Sequence, residues 1–134
     1  MQAAPDFAKL IRLVIERAKA EGIAVTLNTA YRSNAYQQEL IDCWNDSTNN
    51  FECRKRRGIV HEPSQPGLSY HNWGRAIDFE ASPVEKRGRV GEIAQALGLR
   101  YGVLFGDPVH IDDGKKFTIT EAKDRFVEGA LVEI

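Results

Sequence analysis

The order of helical and extended apolar segments constrains the fold of this chain more than any other feature of its sequence. Residues 7–20 place apolar side chains three and four positions apart, which predicts an amphipathic helix packed on a core. We expect Asp6 to cap this helix and Gly22 to end it. The short, β-branched segment 23–29 follows and predicts a strand. The chain therefore opens with a helix followed by a strand.

The later segments mix helices and strands without a regular order. Ser33 or Asn34 can cap a second helix that reaches Trp44. Residues 82–98 predict a third helix, with Ser82 as its cap and a proline at its first position. Strands are predicted at residues 75–79, 101–105 and 109–111, and a last helix at residues 120–127 with Thr120 as cap. Because no βαβ alternation is sustained, the 134-residue chain predicts a single α+β domain in which helices flank a small, mainly antiparallel sheet.

Composition and charge exclude several classes of protein. Hydrophobic residues make up 43% of the chain and charged residues 28%, which is enough for a buried core and argues against general disorder. The 18 Lys and Arg residues nearly balance the 19 Asp and Glu residues, so no broad basic surface for nucleic acid is expected. No apolar stretch reaches the length of about 18 residues that a membrane span requires.

The most polar part of the chain, residues 45–68, is predicted as a long loop, and long loops inside compact domains are often functional. The basic run 54–57 within it is expected to be solvated rather than to grip an anionic polymer. Cys43 and Cys53 lie ten residues apart and could close a disulfide in an oxidising compartment or remain free thiols. They are not expected to hold zinc, because no second Cys or His pair stands at a matching spacing.

The histidines and the carboxylates near them are the strongest candidates for chemistry. His71 is predicted on a loop and Asp78 on the strand that follows it, and Asp107 precedes His110 by three residues. Imidazoles and carboxylates can together hold zinc in a tetrahedron, with one position left to water in a catalytic site. Spacing alone only suggests such a site. His61 is expected to be a surface residue of the long loop.

A ten-residue segment carries a recognisable motif, Ser-x-His-x-x-Gly-x-Ala-x-Asp. It resembles the signature of zinc D-Ala-D-Ala carboxypeptidases and related phage L-alanyl-D-glutamate endolysins, the VanY-like peptidases. The matching positions are Ser69, His71, Gly74, Ala76 and Asp78. Five fixed positions over ten residues make this a specific resemblance.

Two further segments resemble motifs of the same family and stand in the same order. Tyr31-Arg32-Ser33 followed by Gln38 is similar to its Tyr-Arg-Ser…Gln motif, and Asp107 with His110 is similar to its closing acid-x-x-His. The resemblance extends roughly over residues 27–111.

The resemblance implies a role for each matching residue. His71, Asp78 and His110 are the implied ligands of a Zn²⁺ ion. Asp107 is the implied general base, and Arg32 the implied clamp on a substrate carbonyl or oxyanion. This chemistry is coherent, because a positioned carboxylate can transfer protons and a guanidinium can stabilise developing negative charge.

Other residues are implied as supporting or substrate-binding groups, namely Ser69, Gln38, Tyr31 and Trp73. Tyr31 and Trp73 could equally pack in the core. One departure is that Ile111 and Asp112 follow the last histidine, where the family commonly has an aromatic residue. This departure bears on local substrate contacts more than on the metal.

Several ordinary structural roles compete with these functions. Asp78 could pair with Arg75 or Arg32, and Asp107 could only cap its turn. Arg32 could be a structural ion-pair partner. Two other carboxylates could serve as the base instead, Glu62 and Glu80.

Together these observations predict a zinc-dependent peptidase of peptidoglycan stem peptides, with a preference for the L-Ala-D-Glu endopeptidase activity of an endolysin. The alternatives are a D-Ala-D-Ala carboxypeptidase and a wall-binding module that holds zinc without turnover. A nuclease is poorly supported by the near-neutral charge. We expect a monomer that is made in the cytoplasm, since no signal peptide is visible, and that acts on the cell wall; a removed leader fits equally well.

Overall fold

The computed structural model describes residues 1–46, 50–57, 59 and 62–134. The helices in these ranges are α1 (Pro5–Ala20), α2 (Asn34–Asn45), α3 (Asn50–Arg57), α4 (Arg87–Ala96) and α5 (Ile119–Arg125). The strands are β1 (Gln2–Ala3), β2 (Ala24–Thr29), β3 (Ala76–Ser82), β4 (Arg100–Tyr101), β5 (His110–Asp112) and β6 (Val132–Glu133). Short 3₁₀ turns cover Tyr70–Trp73, Val84–Lys86, Gly102–Phe105 and Glu128–Ala130. None of the described helices has the length and apolar character needed to cross a bilayer.

The central sheet has four strands in the order β2-β3-β5-β4, and every neighbouring pair is antiparallel. Strands β1 and β6 form a separate antiparallel pair that joins the two ends of the described chain. This architecture confirms the predicted α+β class with a small antiparallel sheet.

The core lies between one face of the sheet and helices α1 and α4. Along β3, buried and less buried positions alternate after Ile77, as expected for a strand with one face against the core. Ile77, Phe79 and Ala81 join the core, together with Phe7 and Ile11 from α1. Asp78 therefore points to the opposite face of the sheet, away from the two helices.

Helix α1 begins two residues earlier than predicted, and Asp6 is not its cap. The cap position is occupied by Ala4, and Pro5 is the first helical residue. The Asp6 carboxylate instead accepts a hydrogen bond from Arg75 at 3.1 Å, which ties the helix to the start of β3. The Asp6 side chain, which the local sequence predicts as a helix cap, therefore pairs with a residue distant in the chain.

Two other caps differ from the prediction, whereas Ser33 caps α2 as expected by accepting a hydrogen bond from the Tyr36 amide. Ser82 belongs to β3, where it pairs with β2, so it cannot cap the next helix. That helix starts only at Arg87, after a 3₁₀ turn. The last helix is capped by Thr118, not by Thr120, because the Thr118 hydroxyl accepts from the Glu121 amide.

The polar segment predicted as one long loop contains helix α3. A disulfide between Cys43 and Cys53 connects α3 to α2, which settles the alternative that the sequence left open. The Arg54 guanidinium lies 3.7 Å from the centre of the Trp44 ring and donates a hydrogen bond to the Trp44 carbonyl. The basic run thus lies on a helix rather than in a loop. His61, predicted as a surface residue, is outside the described residues.

The predicted strand over residues 101–105 is wrong beyond Tyr101. A 3₁₀ turn replaces it, because the backbone passes very close to the following loop at Gly102. A Cβ at Gly102 would lie 2.2 Å from the Asp107 carbonyl oxygen and 2.9 Å from the His110 Cβ. Only glycine allows this approach, which brings the Asp107 turn against β5.

Candidate metal centre

Among the described residues, one cluster of His, Cys, Asp or Glu side chains is close enough to hold a metal ion, and it consists of His71, Asp78 and His110. His71 lies on the 3₁₀ turn before β3, Asp78 lies on β3, and His110 is its cross-strand neighbour on β5. The Asp78 Oδ1 atom is 3.4 Å from His71 Nε2 and 3.3 Å from His110 Nδ1. The turn and two adjacent strands thus bring the three predicted ligands together.

The donor set and its spacing fit zinc. Tetrahedral zinc has bonds of about 2.0–2.2 Å to imidazole nitrogen and carboxylate oxygen, so its ligand atoms stand roughly 3.3–3.5 Å apart. The two contacts of Asp78 fall at this spacing, and all three ligand atoms lie within 4.8 Å of one another. Two imidazoles and one carboxylate leave a fourth position for water or substrate.

His71 is held so that Nε2 faces the centre. Its Nδ1 lies 2.8 Å from the Ala30 carbonyl oxygen, so Nδ1 carries the proton and donates it to that oxygen. The Ser69 hydroxyl accepts a hydrogen bond from the His71 amide at 3.2 Å, and the supporting role of Ser69 in the site stays a prediction. Burial lowers the pKa of His71, and a neutral imidazole is the form that binds a metal.

Gly74 ends the turn that presents His71. Its φ of +66° lies in the left-handed region that favours glycine. A Cβ there would also lie 2.8 Å from the Ala4 amide nitrogen, and the Ala4 amide donates to the Gly74 carbonyl. Glycine is therefore required by both the turn and the close approach of the N-terminal segment.

His110 is oriented by a carboxylate that the sequence analysis did not assign to the metal site. The Asp112 Oδ2 atom accepts a hydrogen bond from His110 Nε2 at 2.7 Å, which leaves Nδ1 facing Asp78. Asp112 itself accepts two hydrogen bonds from Arg100 and one from the Gly114 amide. Burial alone would lower the pKa of His110, but the hydrogen bonds with Asp112 and Asp78 raise it to about 9.

A signal for Asp112 was present in the sequence. Residues two apart on a strand point to the same face, so His110 and Asp112 share a face once the strand is known. The predicted strand 109–111 ended one residue too early to include Asp112.

Arg32 pairs with the second oxygen of the metal-site carboxylate. Its NH2 group donates to Asp78 Oδ2 at 3.0 Å, while Oδ1 faces the imidazoles. Burial raises the pKa of Asp78, but its contacts with the His110 and His71 rings and the charge of Arg32 outweigh it and hold that pKa well below its usual range. Arg75, the other candidate partner, pairs with Asp6 and Asp113 instead.

A cleft of about 600 Å³ opens above the three ligands. Arg32, Ser69 and Asp107 line it together with His71, Asp78 and His110. Asp107 is half-buried and lies on the turn that precedes β5. The structure thus places the predicted base and the predicted clamp in the same cleft as the ligands, and their catalytic roles stay predictions.

Gln38 does not reach the cleft. It is exposed and donates a hydrogen bond to Asp42 on the same helix. The preceding residue, Gln37, is 1% exposed and lines the cleft. Successive helical residues point about 100° apart, so an assignment that is wrong by one residue can name a side chain on the exposed face instead of one on the buried face. Gln37 donates to the Ser64 carbonyl at 2.7 Å, and its Oε1 atom is buried without a partner among the described residues.

The two predicted aromatic site residues also lie away from the cleft. Trp73 is 2% exposed and packs edge-on against Tyr70, and Tyr31 stacks on Phe126 at a centroid distance of 5.9 Å. Neither is among the cleft-lining residues, so the core-packing alternative is the one observed for Trp73.

Of the two alternative bases, only Glu62 lines the cleft. Glu80 accepts hydrogen bonds from Arg87 at 2.9 and 3.0 Å and is not part of the cleft wall. Glu80 is therefore not a base for this site.

Several solved structures share the fold of this chain. The vancomycin-resistance D,D-pentapeptidase VanY in complex with Zn(II) has a TM-score of 0.61 and 18% identity over 95% of this chain and 79% of that chain. The LD-carboxypeptidase LdcB has a TM-score of 0.64 and 18% identity over 91% and 64%, respectively. The L,D-carboxypeptidase DacB from Streptococcus pneumonia has a TM-score of 0.59 and 16% identity over 95% and 72%. At these identities the similarities show the fold.

None of the curated proteins is significantly similar in sequence. The family model for VanY, described as D-alanyl-D-alanine carboxypeptidase, matches residues 1–96, which include His71 and Asp78 and stop before Asp107 and His110. This match covers more than half of the chain and confirms the predicted family and the enzyme class, a zinc metallopeptidase. The chain belongs to the VanY family of D-alanyl-D-alanine carboxypeptidases.

Proposed function

We propose that this protein is a zinc-dependent carboxypeptidase that removes the terminal D-alanine from peptidoglycan stem peptides at the cell wall. The observation that carries the proposal is one cleft that contains the three ligands, a half-buried carboxylate and a half-buried guanidinium. The description of the matching family favours the carboxypeptidase over the endopeptidase activity preferred from the sequence.

A zinc ion held by His71, Asp78 and His110 would polarise a bound water and the substrate carbonyl, lowering the pKa of that water to about 7. Asp107 would accept the proton of the attacking water and return it to the leaving amine. Its half-buried position in the cleft allows contact with both substrate and solvent.

Arg32 has donors left for the substrate. One NH2 group is engaged by Asp78, while Nε is buried without a partner among the described residues. The Arg32 guanidinium, which lines the cleft, would stabilise the negative charge that develops on the carbonyl oxygen, or bind the terminal carboxylate. Losing one donor to an oxyanion typically costs on the order of 100-fold or more in turnover.

Digestion of purified peptidoglycan by the zinc-loaded protein tests this function. We expect release of free D-alanine, loss of release with a chelator, and recovery when zinc is added back. Mass spectrometry of the fragments identifies the bond, and cleavage between L-Ala and D-Glu would show the endopeptidase activity instead. A protein that sediments with the wall and releases no amine would be the wall-binding module.

Metal analysis of variants provides an independent test. His110→Ala is expected to lose stoichiometric zinc, because it removes one of the three ligand atoms. A zinc content equal to that of the unchanged protein would exclude His110 as a ligand.

A further inference from the structure

The cleft wall contains a cationic group that the proposed chemistry does not use. Three arginines line the cleft: Arg32, Arg57 and Arg100. Arg32 is paired with Asp78, and Arg100 makes two short hydrogen bonds with the fully buried carboxylate of Asp112. Both guanidinium groups therefore contact carboxylates of the metal centre. Arg57 is not in contact with it through any described hydrogen bond or ion pair.

The partner of Arg57 is easily exchanged. Its NH1 group donates to Glu39 Oε2 at 3.1 Å, and the Glu39 side chain is 57% exposed. Exposed ion pairs of this kind typically contribute little to stability, because water and salt screen them. A carboxylate that enters the cleft can therefore compete with Glu39 for this guanidinium at little cost.

The position of Arg57 is nevertheless well supported. It is the last residue of α3, which the disulfide between Cys43 and Cys53 attaches to α2. Its guanidinium lies 5.6 Å from the centre of the Tyr36 ring, and Tyr36 also lines the cleft. A guanidinium that is already positioned loses less side-chain entropy on binding a ligand.

We propose that Arg57 binds a second carboxylate of the peptide substrate, distinct from the group at the scissile bond, and so determines which stem peptides are accepted. This proposal rests on the proposed function. The planar fork of donors of a guanidinium matches a carboxylate. A cleft of about 600 Å³ falls in the range of pockets that hold ligands of several hundred daltons, so a short peptide can reach both Arg57 and the metal centre.

Recognition is local to Arg57, because the cleft as a whole is not strongly positive. Four carboxylates line it beside the three arginines: Glu62, Asp78, Asp107 and Asp112. A substrate anion is therefore favoured where a guanidinium faces it whose partner among the described residues is easily displaced. Arg57 provides that place on the α3 side of the cleft.

Two synthetic stem pentapeptides that differ only in the D-glutamyl α-carboxyl group, free in one and amidated in the other, test the proposal. We expect the unchanged zinc-loaded protein to prefer the free acid by roughly 10-fold or more in KM, because hydrogen bonds to a charged group are stronger than those to a neutral amide. Arg57→Gln should abolish the preference, and Arg57→Lys should retain part of it. Arg56→Gln is the matched control: Arg56 is exposed on the same helix and does not line the cleft, so the preference should persist.

Direct binding of both peptides, measured by calorimetry, separates this proposal from the proposed function. Equal affinity for the two peptides, or an equal loss for both in Arg57→Gln, would refute the role of Arg57 even if both are hydrolysed. Binding with the expected preference but without hydrolysis would refute the carboxypeptidase and support Arg57. Near-ultraviolet circular dichroism of the Arg57→Gln variant identifies a loss caused by misfolding, and Arg57→Lys then decides the outcome.

Discussion

Replacing Asp112 with asparagine should weaken zinc binding although Asp112 is not a ligand. The carboxylate is fully buried and accepts four hydrogen bonds. Oδ1 accepts from Arg100 Nε and the Gly114 amide, and Oδ2 accepts from Arg100 NH2 and His110 Nε2. Asparagine has one acceptor and one NH2 group, so in either orientation its NH2 faces two donors.

A change of the His110 tautomer would remove the clash between the asparagine NH2 group and His110 Nε2, but it would harm the metal site. If the proton of His110 moves from Nε2 to Nδ1, Nε2 can accept from asparagine. Nδ1 is the atom that faces Asp78, and a protonated nitrogen does not bind a metal. We therefore expect Asp112→Asn to lower the zinc affinity by about 10–100-fold, equivalent to about 1.4–2.7 kcal/mol.

Competition with a fluorescent zinc chelator measures this affinity directly. The matched control is Asp113→Asn, because Asp113 is equally buried and also pairs with an arginine, Arg75, but makes no hydrogen bond or ion pair with the ligands among the described residues. The control should lower the stability of the fold and leave zinc affinity unchanged. An Asp112→Asn variant that binds zinc as tightly as the unchanged protein would refute the positioning role of Asp112.

Three further predictions concern catalysis and stability. Asp107→Asn should keep full zinc content and lose about 10²–10⁴-fold in kcat, the usual contribution of a general acid–base group, and full activity with zinc bound would exclude Asp107 as the base. Arg75→Ala should lower the free energy of unfolding in urea by about 3–5 kcal/mol, since it leaves the buried Asp113 carboxylate unpaired; a change below about 1 kcal/mol would contradict the ion pair. Removing the disulfide by replacing Cys43 and Cys53 with alanine should cost about 3 kcal/mol, the value for a loop of this sequence separation, and unchanged stability would show that the bond does not constrain the unfolded chain.

Local chemistry explains why some features were predictable. Ser33 caps α2 because a hydroxyl next to the first free amides of a helix satisfies them wherever the helix lies. His71 and Asp78 approach each other because only a turn and the start of one strand separate them, and Gly74 permits that turn. Both features depend on residues close together in the chain.

Errors arose where tertiary contacts compete with local preference. Serine and aspartate are residue types that often cap helices. Ser82 nevertheless pairs with β2, and Asp6 binds Arg75. Helix α3 has no apolar periodicity to reveal it, and it is supported by the disulfide and by Arg54 packing on Trp44. None of these partners lies within the segment whose structure was predicted.

The sequence by itself determined the α+β class, the family and the three side chains that could hold a metal ion, because patterning and specific motifs carry this information locally. Only the tertiary structure decided how those side chains are held. The pairing of β3 with β5 sets Asp78 beside His110, and it turns Asp112 toward the imidazole. Arg57 joins the cleft wall only once α3 packs on α2. Such contacts join residues far apart in the chain, and no local preference determines their register.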